Sequence, residues 1–137
     1  MPKSEVPDRP PRSPKPEVRL RLRVTSGGVI AIGPGKVDLL EAVATQGSIS
    51  AAARSLGMSY RRAWLLLDEL NHALKSPAIT TATGGERGGG AHLTATGEAV
   101  IAHYRQLEAE ALAAGASHIK KLLKLLREPD SGDEGAS

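Results

Sequence analysis

The chain has 137 residues, a formal net charge of +3, no cysteine and no phenylalanine, and room for one ordinary domain plus a terminal helix. The missing thiols exclude disulfides, thiolate metal sites and a cysteine nucleophile, and fit a reducing cytoplasm. With Tyr60, Trp64 and Tyr104 as its only rings, it lacks the aromatic platform of a single-strand binder. No apolar run of about 18 residues marks a membrane span, and the Pro-rich, charged N-terminus lacks the apolar stretch of a secretory signal. The last ten residues carry Glu128, Asp130, Asp133 and Glu134 without Lys or Arg, which leaves a formal +7 on residues 1–127. A basic body favours a polyanionic partner through counterion release and steering.

Residues 1–16 read as a disordered arm, either a solvated tail or a contact to DNA. From Glu17 to Thr25, Val18, Leu20, Leu22 and Val24 alternate with Arg19, Arg21 and Arg23, which predicts a half-buried strand with a charged, solvated edge. Ser26-Gly27-Gly28 makes a turn, and Val29 to Ile32 returns as a second strand. Gly33-Pro34-Gly35 breaks it, and Val37, Leu40, Val43 and Ala44 predict an amphipathic helix to about Thr45.

Gly47 to Asn71 carries the main signal. It reads as two short helices joined by a tight turn. Ser48 caps the first helix, and Ala51, Ala52 and Ala53 allow another helix to approach closely. Gly57, between Leu56 and Met58, supplies the turn, and Ser59 caps the second helix. Ala63, Leu66, Leu67, Leu70 and Leu74 form its buried face. Tyr60, Arg61, Trp64, Leu65 and Asp68 fall largely outside that stripe, and a pure core helix has no use for Tyr-Arg-Arg at its start.

Ser76-Pro77 stops the second helix. Ala78 to Thr83 and Ala91 to Thr94 then predict two pairing strands around the tip Gly84-Gly85-Glu86-Arg87-Gly88-Gly89-Gly90, which together make a wing. The glycine run has no G-K-[ST] ending and opens no βαβ unit, so a phosphate loop is the weaker reading. Thr94 or Thr96 caps a helical pattern through Val100, Ile101, Tyr104, Leu107, Ala111, Ile119, Leu122 and Leu126. Unbroken to Arg127, it spans about 50 Å, more than a domain of this size needs for its own core, so a partner helix from a second subunit is implied. Gly115 leaves open a bend or two shorter helices.

The pattern supports no catalysis. His72, His92, His103 and His118 lack metal-ligand spacing, there is no G-x-S-x-G elbow, and Asp68-Glu69 are neighbours on a polar helix face. No metal and no cofactor is expected. Double-stranded DNA is the expected partner, with Arg61 reaching a base edge, Tyr60 a base edge or phosphate, and Arg62, Arg54, Ser48 and Ser50 phosphate. Trp64 either packs on a neighbouring element or touches DNA, Ser59 sits at the helix start, and Arg87 reaches the backbone or minor groove from the wing.

The text G-S-I-S-A-A-A-R-S-L-G-M-S-Y-R-R-A-W, then D-E-L-N, then A-T-G-G-E-R-G-G-G-A-H-L-T-A-T-G, resembles the N-terminal domain of ModE regulators. That winged helix is related to the DNA-binding domain of LysR-type regulators. The resemblance covers about residues 33–110. It implies that Gly47–Ser50 opens the first helix, Ser59–Trp64 opens the recognition helix and Thr83–Gly90 is the wing. It also implies sequence-specific DNA binding and dimerisation. ModE continues into OB-like molybdate-binding modules. This chain ends in a helix and an acidic tail, so the expectation is a regulator without its own molybdate sensor, its small-molecule effector left open.

The expected fold class is therefore α+β, mostly α: a winged helix-turn-helix with an N-terminal β-hairpin and a long C-terminal dimerisation helix. Expected boundaries are 1–16 for the arm, 17–94 for the DNA-binding domain, 95–127 for the dimerisation segment and 128–137 for a disordered tail. Tyr104, Leu107, Ala111, Ile119 and Leu122 are the expected homodimer contacts, with a cytoplasmic, nucleoid-associated location and half-sites about one helical turn apart. The rival readings are a protein-interaction adaptor with a winged-helix shape and an oxyanion-responsive binding protein.

Overall fold

A computed structural model describes residues 15–82 and 90–128, and the chain divides into two compact units, residues 20–111 and residues 1–19 with 112–137. In the first unit, strands β1 (Val24–Ser26) and β2 (Val29–Ile32) form an antiparallel hairpin about Gly27-Gly28. Its register runs Val24 to Ile32, Thr25 to Ile30 and Ser26 to Val29, so Ala31 is the extra residue of a bulge, and it is buried.

The strand expected from Glu17 to Thr25 is thus much shorter. A ladder needs a partner at each step, and β2 ends after four residues, where Gly33-Pro34 begins helix α1 (Pro34–Gln46). The alternation survives without pairing: Val18, Leu20 and Leu22 are half-buried, while Arg19, Arg21 and Arg23 are exposed. The Tyr104 hydroxyl fixes the extended segment by donating to the Leu22 carbonyl at 2.7 Å.

Helix α1 buries Leu39, Leu40 and Val43 in a core shared with α2 (Ile49–Ser55) and α3 (Tyr60–Ala73), and Val37 is buried as well. The core continues through Ile49, Ala52, Ala53, Ala63, Leu67 and Leu70. Leu66 and Leu74, expected in the buried face of α3, are partly buried and pack against it. The wing strands β3 (Ile79–Thr81) and β4 (Ala91–Leu93) pair antiparallel, Ile79 with Leu93 and Thr81 with Ala91. One more bond, from Ala82 N–H to Gly90 C=O at 2.9 Å, extends the ladder toward the tip.

Between the two candidate caps, the structure selects Thr94. Its Oγ1 accepts from Gly97 N–H at 3.1 Å and donates to the Pro77 carbonyl at 2.6 Å, opening helix α4 (Ala95–Ala114) on the base of the wing. Gly97 lies so close to that base that a Cβ there would collide with the Ala78 carbonyl oxygen. Farther along α4, Arg105 reaches Glu41 and Asp38 of α1, both at 2.7 Å, and Glu108 at 2.9 Å.

The helical run expected to reach Arg127 is interrupted. Gly115 takes φ −93° and ψ 9°, off the helical ψ, and helix α5 (Ala116–Lys124) starts anew with Ile119 N–H on the Gly115 carbonyl. On α5 and the turn after it, Ile119 and Leu123 are half-buried and Leu122, Leu125 and Leu126 exposed, beside Lys120, Lys121 and Lys124.

Candidate nucleic-acid interface

The α2–α3 unit owes its geometry to three local devices. Ser48 Oγ accepts from Ala51 N–H at 3.1 Å, and Ser59 Oγ accepts from Arg62 N–H at 3.1 Å, so both helices start on hydroxyl caps. Between them, Gly57 takes φ +71°, with its N–H on the Arg54 carbonyl and Met58 N–H on the Ala53 carbonyl. That is a Schellman ending, and it needs a residue at ease in the left-handed region. Ala52 and Ala53 are fully covered, which lets α2 and α3 approach closely.

With Ala63, Leu67 and Leu70 turned inward, α3 presents Tyr60, Arg61, Arg62, Trp64 and Leu65 to solvent. Among the described residues no carboxylate pairs within 4.0 Å of Arg54, Arg61 or Arg62. The contrast with two other cations is informative. Arg105 is held by three carboxylates that push its pKa above the ordinary guanidinium value, Glu41 contributing most. In return, the hydrogen bond from Arg105 holds the Glu41 carboxyl below its usual range. Lys36, 7 % exposed, donates to the Ile30 carbonyl at 2.7 Å and pairs with Glu69 at 3.3 Å. Those two charges hold elements together. The arginines at the start of α3 are left facing water.

The structure brings Ser59, Tyr60, Arg61, Arg62 and Trp64 together on the first two turns of α3. Ser48 and Ser50 stand at the start of α2, Ser48 half-buried and Ser50 exposed, and Arg54 is exposed in the last turn of α2. A capping hydroxyl accepts through a lone pair and keeps its own proton, so Ser48 and Ser59 can each still donate one hydrogen bond. Arg87 and the wing tip from Thr83 to Gly89 lie outside the described residues. Of the dimer candidates, Tyr104 is 4 % exposed, buried in its own unit, and Leu107 is 50 % exposed. Ala111 and Ile119 are half-buried, and Leu122 is 59 % exposed.

The sequence reading missed the parts that aim the wing. Asn71 Oδ1 accepts from Ala78 N–H at 2.8 Å, and its Nδ2 donates to the Ile79 carbonyl at 3.2 Å, so the end of α3 grips the first residues of the wing. From the other side, Ala91 N–H of β4 donates to the Gly47 carbonyl at 3.0 Å. Asn71 closes the quoted D-E-L-N text, but nothing in one sequence distinguishes a structural amide from a solvated one. Among the described residues, no group of three or more His, Cys, Asp or Glu side chains is placed to hold a metal ion, and no helix is long and apolar enough to cross a membrane.

Two helices at a glycine turn, a solvent-facing basic start to the second and a two-stranded wing define a winged helix-turn-helix. Residues 35–98 match the family model of bacterial regulatory helix-turn-helix proteins of the lysR family.

The kinship is narrower still. The chain is 49 % identical over 78 residues to the molybdenum-pterin-binding protein MopB of Rhodobacter capsulatus, covering 57 % of this chain and 29 % of that protein. It is 36 % identical over 103 residues to the molybdenum transport protein ModE of Azotobacter vinelandii, covering 75 % and 37 % respectively. To the DNA-binding transcriptional dual regulator ModE of Escherichia coli (strain K12) it is 41 % identical over 71 residues, covering 52 % and 27 %. With these relatives and the motifs above, the chain is similar to the N-terminal part of ModE regulators. It spans little more than a third, at most, of the length of each of these three relatives.

Proposed function

We propose that the chain is a DNA-binding transcriptional regulator of the ModE type that reads a duplex with α3 and braces itself with the wing. One observation carries this: Arg61 and Arg62, exposed and free of any carboxylate among the described residues, open a helix whose opposite face is locked into the core. Uncompensated guanidinium groups on a rigid helix start suit a polyanion that also offers hydrogen-bond acceptors, as the guanine edge does in the major groove. In this reading Arg61 takes the base edge and Tyr60 a base edge or phosphate. Arg62, Arg54, Ser48, Ser50 and Ser59 hold the backbone, Trp64 lies against the groove, and Arg87 reaches from the wing.

The protein acts as a homodimer on half-sites about one helical turn apart. Leu107, Ala111, Ile119 and Leu122 form the seam, and Tyr104 anchors α4 from its own side. Its targets are molybdenum-related genes, and it works in the cytoplasm on the nucleoid. Nuclease footprinting of the purified protein on genomic fragments, in competition with random duplex, tests the reading. Protection of discrete two-fold sites supports it, and equal binding to every duplex refutes it.

A further inference from the structure

The solvent side of α3 holds one side chain that neither the core nor a phosphate contact explains. Leu65 stands one turn beyond Arg61 on the same face, away from the Ala63, Leu67 and Leu70 stripe, and is 42 % exposed. Trp64 beside it is 45 % exposed. The rest of that face is polar: Arg61, then Asp68, with His72 Nδ1 at 3.5 Å from the Asp68 carboxylate. Consecutive in sequence and about 100° apart around the helix, Leu65 and Trp64 each put a large apolar side chain into solvent beyond a pair of exposed arginines.

The charge around the patch restricts its occupant. Arg61 and Arg62 draw this face onto an anionic surface, and with the first two turns of α3 in the major groove Leu65 meets base edges. The groove displays one apolar group, the C5-methyl of thymine. We propose that Leu65 is a specificity residue that reads thymine C5-methyl groups, while Arg61 supplies the hydrogen-bonded part of the readout. This rests on the DNA-reading role proposed above and adds to it the class of base contacted one turn into the helix. Burying one methyl group against Leu65 removes apolar surface from both partners, and the gain corresponds to about fourfold in affinity.

The test uses the whole chain. A bound sequence is selected from a random duplex library, and each thymine in it is then replaced singly by deoxyuridine, which keeps the base pair and removes only the methyl. Affinities are measured by fluorescence anisotropy for the native chain, Leu65→Ala and Trp64→Ala, each checked for an unchanged thermal melt. The expected result is at least one thymine per half-site where deoxyuridine weakens native binding about fourfold. At that thymine Leu65→Ala binds the thymine and uracil sites equally. A purely structural role for Leu65 lowers affinity for both sites and leaves their ratio intact, which overturns the proposal. So does a selected site indifferent to every replacement, or a uracil penalty that only Trp64→Ala abolishes. Failure of the library to enrich any sequence refutes the DNA-reading role itself, a different result from an enriched but methyl-blind site.

Discussion

Replacing Gly97 by alanine puts the joint between the wing and α4 under direct test. Glycine at a helix start is ordinarily a weakness, and alanine there raises helix propensity by up to about 1 kcal/mol. Here the added Cβ collides with the Ala78 carbonyl oxygen and lies 3.1 Å from the carbonyl carbon, both backbone atoms that no rotamer change can clear. Relief requires α4 to back away from Ala78, which stretches the Thr94 N–H bond to the Ala78 carbonyl (2.9 Å) and the Thr94 Oγ1 bond to the Pro77 carbonyl (2.6 Å). Overpacking costs about 1–3 kcal/mol and the weakened bond about 1 kcal/mol, so after the propensity gain a net loss of about 2 kcal/mol is expected. Gly35 is the matched control, a helical glycine in α1 with open space where its Cβ would go. Gly35→Ala should stabilise by about 0.5–1 kcal/mol, partly by restricting the unfolded chain. Urea unfolding of both variants at one protein concentration gives the answer, with the Gly97→Ala midpoint lower by about 1–2 M. A Gly97→Ala protein as stable as Gly35→Ala would show that wing and helix are not in contact at this point.

Other outcomes follow from the same geometry. Asn71→Ala leaves the Ala78 N–H without its acceptor and should cost about 2 kcal/mol in urea unfolding, with faster amide exchange confined to residues 78–82. Because Arg105 holds the Glu41 carboxyl below its ordinary value, the folded state binds that proton less readily than the unfolded chain does. The stabilisation is complete above the unfolded carboxyl value of about 4.3 and is lost as pH falls through the lower folded value. Both groups are more than a third exposed, so the loss is below about 1 kcal/mol. Glu41→Gln should flatten that part of the pH–stability curve, and an unchanged curve counts against the pair. In the proposed DNA complex, Arg61→Ala should relax base preference, whereas Arg87→Ala should lower affinity for all duplexes alike and reduce the salt slope by about one. Indistinguishable effects from the two changes refute that division of roles.

The helix-turn-helix was legible because its determinants are local. Ser48, Gly57 and Ser59 each act within four residues, and an apolar stripe reports its own buried face. Strand length was not legible to the same degree. The alternation from Val18 to Arg23 separates half-buried from exposed residues but fails at Val24, which is exposed, and pairing depends on how far β2 runs, a property of a different segment. The split near Gly115 shows the same limit, since periodicity continues across a residue whose ψ breaks the helix. Charges divide similarly. Arg61 and Arg105 look alike in the sequence, and only the fold reveals that Arg105 is enclosed by Asp38, Glu41 and Glu108 while Arg61 faces solvent.

What aligns the proposed reading surface is a set of hydrogen bonds made away from its reading side chains. Asn71 ties the end of α3 to Ala78 and Ile79, the Gly47 carbonyl between α1 and α2 holds Ala91 of β4, and the Ala78 carbonyl receives Thr94 N–H at the start of α4. The wing is therefore pinned by both of its strands to the two ends of the helix-turn-helix, and the pins avoid Tyr60, Arg61, Trp64 and Leu65 altogether. Substitutions on the exposed face of α3 can then change which bases are contacted without changing where the wing lies. The converse holds for the pins. Asn71→Ala and Gly97→Ala should weaken binding to every duplex through lost alignment, while the ranking of sequences, set by the face of α3, stays the same. That pattern separates a framework residue from a reading residue in a single competition experiment.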